Sequence, residues 1–145
     1  MTPQKLFNQC KELFPAEKYT GKDLDKITTS DRDAEKEAYA IWVRDRLEAD
    51  GKPGLSADEI KKQGLITETL EERLIQELEY FSRTKKHLDE NTATLCAGSR
   101  SRLADGDVPS VFWIDGRLKV LWYGTVLHDD DWRAREVVSS AGSGK

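Results

Sequence analysis

Cysteine and histidine are scarce in this chain, with two of each among 145 residues. That scarcity narrows the chemistry. Cys10 and Cys96 form no CxxC pair and share no zinc-site spacing with His87 or His128. Cys10 lies on an apolar helical stripe with Leu6, Phe7 and Leu13, and Cys96 lies in a strand-like run, so two buried free thiols in a reducing compartment are expected. A nucleophile elbow of the G-x-S-x-G type is missing, and with two histidines the choice of general base is small. The segment Gly98-Ser99-Arg100-Ser101-Arg102 is polar and basic but lacks the Gly-Lys-Ser/Thr ending of a phosphate-cradling loop. No apolar run approaches the ~18 residues needed to span a bilayer, and Met1 to Lys5 lacks the apolar core of a secretory signal. Charge of one sign is also missing: 27 acidic residues against 23 basic ones leave a net charge of −4. That balance suits neither a generic polyanion binder nor a mimic of DNA. A cytoplasmic location is expected, with no metal, cofactor or membrane.

What is present argues for a folded chain. Hydrophobic residues make up 37%, and there are four each of Trp, Tyr and Phe, more aromatics than a chain without a core carries. The length suits one domain, and the expected boundaries are a single α+β domain over 1–138 followed by a flexible tail over 139–145.

The first two-thirds reads as helical. Thr2 before Pro3 is an N-cap with proline at the first helical position, and Leu6, Phe7, Cys10, Leu13 and Phe14 then follow helical spacing until Pro15. Residues 15–30 are polar and read as a loop with one helical turn. Ser30 caps a predicted helix running to Gly51, with Ala34, Ala38, Ile41 and Trp42 on one stripe and Tyr39, Val43 and Leu47 beside it. Ser56 to Glu59 is a capping box that opens a short helix ending at Gly64. Thr67 or Thr69 caps a long helix to about residue 88, with Leu70, Leu74, Ile75, Leu78 and Phe81 on its apolar face. Acidic residues at its start and basic ones at its end match the helix dipole.

After Asn91 the pattern changes. Residues 92–97 suit a strand, and residues 108–123 predict a β-hairpin on the two-residue turn Asp115-Gly116. That turn fixes the register, placing Trp113 opposite Leu118, Val111 opposite Val120 and Pro109 opposite Trp122. Alternation then assigns Val111, Trp113, Leu118, Val120 and Trp122 to a core-facing side. The predicted architecture is three or four N-terminal helices packed on a small antiparallel sheet containing this C-terminal hairpin.

The opposite side of the hairpin carries Phe112, Ile114, Arg117, Lys119, Leu121 and Tyr123. Aromatic and aliphatic groups mixed with cations suit neither a core nor an ordinary solvated face. Either the segment holding Trp132, Val137 and Val138 folds over it, or it is a binding surface. Phe112, Arg117, Lys119, Leu121 and Tyr123, with Arg100 and Arg102 from the basic loop, are the candidate binding residues.

Other constellations have plainer readings. His128-Asp129-Asp130-Asp131 has metal-ligand chemistry, but consecutive residues rarely converge on one ion, so capping explains it better. The helices flanking Gly64 superficially resemble a helix-turn-helix, yet the second opens on Glu68, Glu71 and Glu72, which would oppose phosphates. The function expected is therefore a non-enzymatic protein-binding module. A nucleic-acid binder using the same arginines, lysine and tyrosine is the alternative, and a small enzyme with an unrecognised site the third.

Overall fold

The computed structural model describes residues 1–103 and 106–142. Helix α1 (Pro3–Leu13) starts as the sequence dictates: the Thr2 hydroxyl accepts from the Lys5 amide, and Pro3 occupies the first turn. Strand β1 (Ala16–Lys18), the single turn α2 (Leu24–Ile27) and β2 (Thr28–Ser30) follow, then β3 (Tyr39–Val43). Helix α3 (Ala57–Lys62) carries the expected Ser56/Glu59 capping box. Helix α4 (Leu70–Thr84) has a second one from Thr69 and Glu72, and it ends where Lys85 turns left-handed at φ 61°. The rest is strand: β4 (Ala93–Leu95), β5 (Ser99–Ser101), β6 (Val108–Ile114), β7 (Arg117–Tyr123), β8 (Trp132–Arg133) and β9 (Val137–Gly142).

The expectation of three or four helices on a small antiparallel sheet is overturned. Among the described residues only α1 and α4 reach seven residues or more, and strands dominate. The main sheet has five strands in the order β1-β7-β6-β4-β8, flanked by two-stranded pairs β2-β5 and β3-β9. It is mixed, because its outermost strands β1 and β8 lie parallel to their neighbours.

The missing helix is the one placed between Ser30 and Gly51. Instead of capping, the Ser30 hydroxyl donates to Glu71 Oε1 at 2.7 Å. Tyr39-Ala40-Ile41-Trp42-Val43 is a β-branched and aromatic run whose apolar residues fit both the helical and the extended period. As a strand it turns Tyr39, Ile41 and Val43 inward and leaves Ala40 and Trp42 exposed. Antiparallel pairing with β9 decides the choice. Of the segment expected to be a tail, residues through Gly142 lie in β9, and 143–145 fall outside the described residues.

The hairpin register is as read from the turn, with Trp113 opposite Leu118, Val111 opposite Val120 and Pro109 opposite Trp122. Asp115 and Gly116 both take positive φ, at 54° and 76°, as a two-residue turn of this hand requires. The hairpin sits in mid-sheet, with β4 on one side and β1 on the other. Its inner face packs on α1 and α4: Val111, Leu118 and Val120 join Leu6, Phe7, Cys10, Leu70 and Leu74 in the main core, with Trp113 and Trp122 against it. Each such fully buried aliphatic or aromatic side chain contributes roughly 1.5–3 kcal/mol. Both cysteines are free and buried, and burial pushes the Cys10 thiol up to about 12. No described helix is long and apolar enough to cross a membrane.

Candidate binding surface on the hairpin

The outer face of the sheet is assembled from three strands. Strand β7 turns Arg117, Lys119, Leu121 and Tyr123 outward, and β6 sets Phe112 directly across from Lys119 and Ile114 across from Arg117. Strand β1 adds Glu17 beside Lys119. The five candidate residues on the hairpin therefore share one face. Its cations are partly answered: Arg117 Nη1 lies 3.2 Å from Glu17 Oε2, and Lys119 Nζ lies 5.7 Å from the centre of the Tyr19 ring. The Arg117–Glu17 pair is exposed on both sides, so it orients the side chains more than it stabilises the fold.

The face divides into a covered end and an open end. Trp132 in β8 lies beside Ala93, and its ring meets Tyr123 at 4.3 Å between centroids. Below it, Ala57 and Ile60 of α3 close a second apolar cluster with Leu95, Ala97, Val108 and Ala134. The C-terminal segment thus folds back over the hairpin at Trp132, whereas Val137 and Val138 are taken into β9. Phe112, Lys119 and Leu121 stay half-buried, and Ile114 is 45% exposed.

Between the two ends runs a cleft of about 220 Å³, walled by Phe112, Ile114, Tyr123 and Trp132 and rimmed by Glu90, Asp129 and Asp131. Burial, helped by the Asp129 charge, raises the Tyr123 phenol above its ordinary value. Aromatic walls under an anionic rim can hold an apolar or a cationic side chain.

Arg100 and Arg102 are not part of this surface. Arg100 Nη1 donates to the carbonyls of Ala97 and Ser99, and the residue borders a small cavity with Asp31, Lys61 and Thr67. Arg102 borders a different one with Asp25, Asp33, Glu35 and Glu71. Arg100 and Arg102 therefore do not share one cavity with each other.

Sequence reasoning missed the most elaborate polar structure in the protein. Asp89 is almost fully buried and accepts from Arg73 Nε at 3.1 Å, Arg135 Nη2 at 2.8 Å and the Ala49 amide at 2.8 Å. The Thr94 hydroxyl donates to the same carboxylate while accepting from Arg135 Nε at 2.9 Å. Arg73 Nη1 also donates to Glu77, whose other oxygen meets His87 Nδ1 at 2.8 Å. The His87 ring lies flat on Trp113, 3.4 Å between centroids. Burial alone would raise the Asp89 carboxyl, but Arg73, Arg135 and the Thr94 hydroxyl together hold it below the usual range. A readable signal did exist: Arg73 and Glu77, at i,i+4, fall on the apolar stripe of α4, a cation and an anion where aliphatic residues belong. The arginines and carboxylates of this network are paired with one another, although Arg73 Nη2, 3.0 Å from Asp89 Oδ2, makes no hydrogen bond, and the pairing marks it as a clamp joining α4, β4 and the strand-linking segments. No protein-family model, curated protein or solved structure matches the chain.

Proposed function

We propose that the protein is a non-enzymatic binding module that docks another protein on the open end of the hairpin's outer face and acts in the cytoplasm. The observation that carries this reading is the half-covered state of that face. Phe112, Ile114, Leu121 and Tyr19 lie beside Arg117, Lys119 and Glu17, and α3 and Trp132 stop short of them. An apolar surface edged with charge is the usual composition of a protein-docking patch, with the apolar part supplying affinity and the charges register. The cleft beside it, with acidic Glu90, Asp129 and Asp131 at its rim, suits an anchoring basic side chain from the partner.

The test is site-directed photo-crosslinking in cells. A crosslinker at Lys119 should capture a discrete protein that the same group at Lys62 does not, and Ile114→Asp/Lys119→Glu should abolish the capture. Equal yields from both positions, or capture that survives the double variant, would refute the reading.

A further inference from the structure

The cleft on the outer face is built as a slot between aromatic side chains. Strand β4 runs between β6 and β8. Its pairing of Thr94 with Val111 brings Ala93 level with Phe112, and Ala93 is itself paired with Trp132. Phe112 and Trp132 therefore stand two strand spacings apart, about 10 Å at the backbone. Ala93, with a side chain of one methyl group, lines the slot between them. Tyr123 lies against Trp132 and extends that wall, and Ile114 extends the other. A cation midway across is within the ~6 Å over which a ring face attracts positive charge.

The polar groups of the cleft fall into two sets by depth. The inner ones are committed. Asp89 accepts from Arg73, Arg135 and the Ala49 amide, and the Thr92 hydroxyl is held between Glu48 and Asp89. The outer ones are not. Glu90, Asp129 and Asp131 are exposed, and no described residue forms an ion pair with any of them. Asp129 accepts the Asp131 amide, which leaves its charge uncancelled. The Tyr123 phenol feels that charge and belongs to the mouth as well.

This division selects among cations. A primary ammonium or a guanidinium carries N–H donors that need acceptors. Inside the slot the described acceptors are already taken, and a charged donor left unpaired out of water is costly. A trimethylammonium has no N–H to satisfy and lays methyl groups against the ring faces. The three carboxylates at the mouth favour the approach of positive charge over neutral or negative groups. We infer that the cleft binds a trimethylated lysine side chain of the docking partner, its quaternary ammonium lodged between Phe112 and Trp132. The inference rests on the reading of the outer face as a protein-docking surface and adds the chemistry of the anchor.

The probes are acetylated, amidated pentapeptides with one variable residue between two pairs of glycines. That residue is trimethyllysine, lysine, arginine, or the uncharged isostere with a tert-butyl group in place of trimethylammonium. Each is titrated into the unaltered protein while NMR follows the Trp132 indole N–H and the Ala93 methyl. Saturable shifts at both positions are expected with trimethyllysine, with affinity at least ~5-fold above the other three peptides. Trp132→Leu should abolish binding. Because Trp132 also packs against the second apolar cluster, Asp129→Asn/Asp131→Asn at exposed positions is the companion variant. It should weaken trimethyllysine binding about 3-fold.

Equal or tighter binding of lysine, arginine or the isostere would overturn the assignment, as would shifts that fail to saturate or an unchanged affinity in the double variant. Phosphocholine bound as tightly as the peptide would also overturn it, by moving the ligand from a protein to a lipid headgroup. Capture at Lys119 without selectivity among the peptides would remove the anchor and leave the docking reading standing. Selective trimethyllysine binding without capture at Lys119 would do the reverse.

Discussion

Asp89 and Glu68 are each about 1% exposed, yet the two regions around them treat a buried carboxyl in opposite ways. Asp89 is met by two guanidiniums, a hydroxyl and a backbone amide, and it stays ionised. Glu68 is met by one amide side chain and is driven toward the neutral acid. Depth of burial is the same, so the number and charge of the partners decide the outcome. The first region answers its acid with charge; the second answers it with one neutral amide.

The sharpest way to break this contrast is Asp89→Ala. It leaves Arg135 without its ion-pair partner and Arg73 with Glu77 alone, and urea unfolding should show a loss of about 3–5 kcal/mol. A loss below ~1 kcal/mol would mean that the arginines find other partners and the clamp is not one. The acid dependence follows the same logic. The Asp89 carboxyl is depressed in the folded state, so its contribution is present above the unfolded value of about 3.8 and disappears as pH falls through the folded one.

Glu68 has the opposite sign. Its folded value lies above its unfolded one, so the unfolded chain ionises first and stability declines as pH rises from ~4.5 to about 8. The decline should be on the order of 5 kcal/mol, measured as urea midpoints across that range. Glu68→Gln should flatten it. A wild-type midpoint that is level between pH 5 and 8 would place Glu68 with the satisfied acids and end the comparison.

A smaller effect sharpens the border between the two regions. Tyr39→Phe removes a hydrogen bond to Glu72 and should cost about 0.5–1.5 kcal/mol, while leaving the pH slope due to Glu68 intact. A change in that slope would show that the hydrogen bonding of Glu72 reaches Glu68. The outer hairpin face gives the smallest response: Lys119→Glu should shift stability by no more than ~0.5 kcal/mol, since the side chain is not part of either core.

What the sequence made legible follows from how local the information was. The hairpin, its register and the core-facing side were readable because one two-residue turn sets them all. The capping of α1, α3 and α4 was readable for the same reason, since cap and first turn lie within four residues. The helix expected after Ser30 failed because residues 39–43 find their partner about a hundred residues later, in β9, and a local period cannot report that. Strand β1 was unreadable for the same cause, being three residues defined by pairing to β7. On the site side, the shared face of Phe112, Arg117, Lys119, Leu121 and Tyr123 came directly from alternation. The separation of Arg100 and Arg102 from it, and the ion cluster of Asp89, depended on three-dimensional return of the chain.

The arrangement of the main sheet has a consequence for how the molecule assembles. Its central pair, β6 and β7, is joined by the shortest possible connection, while its outer strands β1 and β8 come from distant parts of the sequence and add in parallel. Closing a two-residue turn is fast, and bringing in remote segments carries the larger loop-closure entropy. The hairpin is therefore the template, and β1 a latecomer that must wait for a partner made about a hundred residues later. During translation the helices α1 and α4 emerge before residues 108–123, the strands that cover their apolar faces in the folded protein.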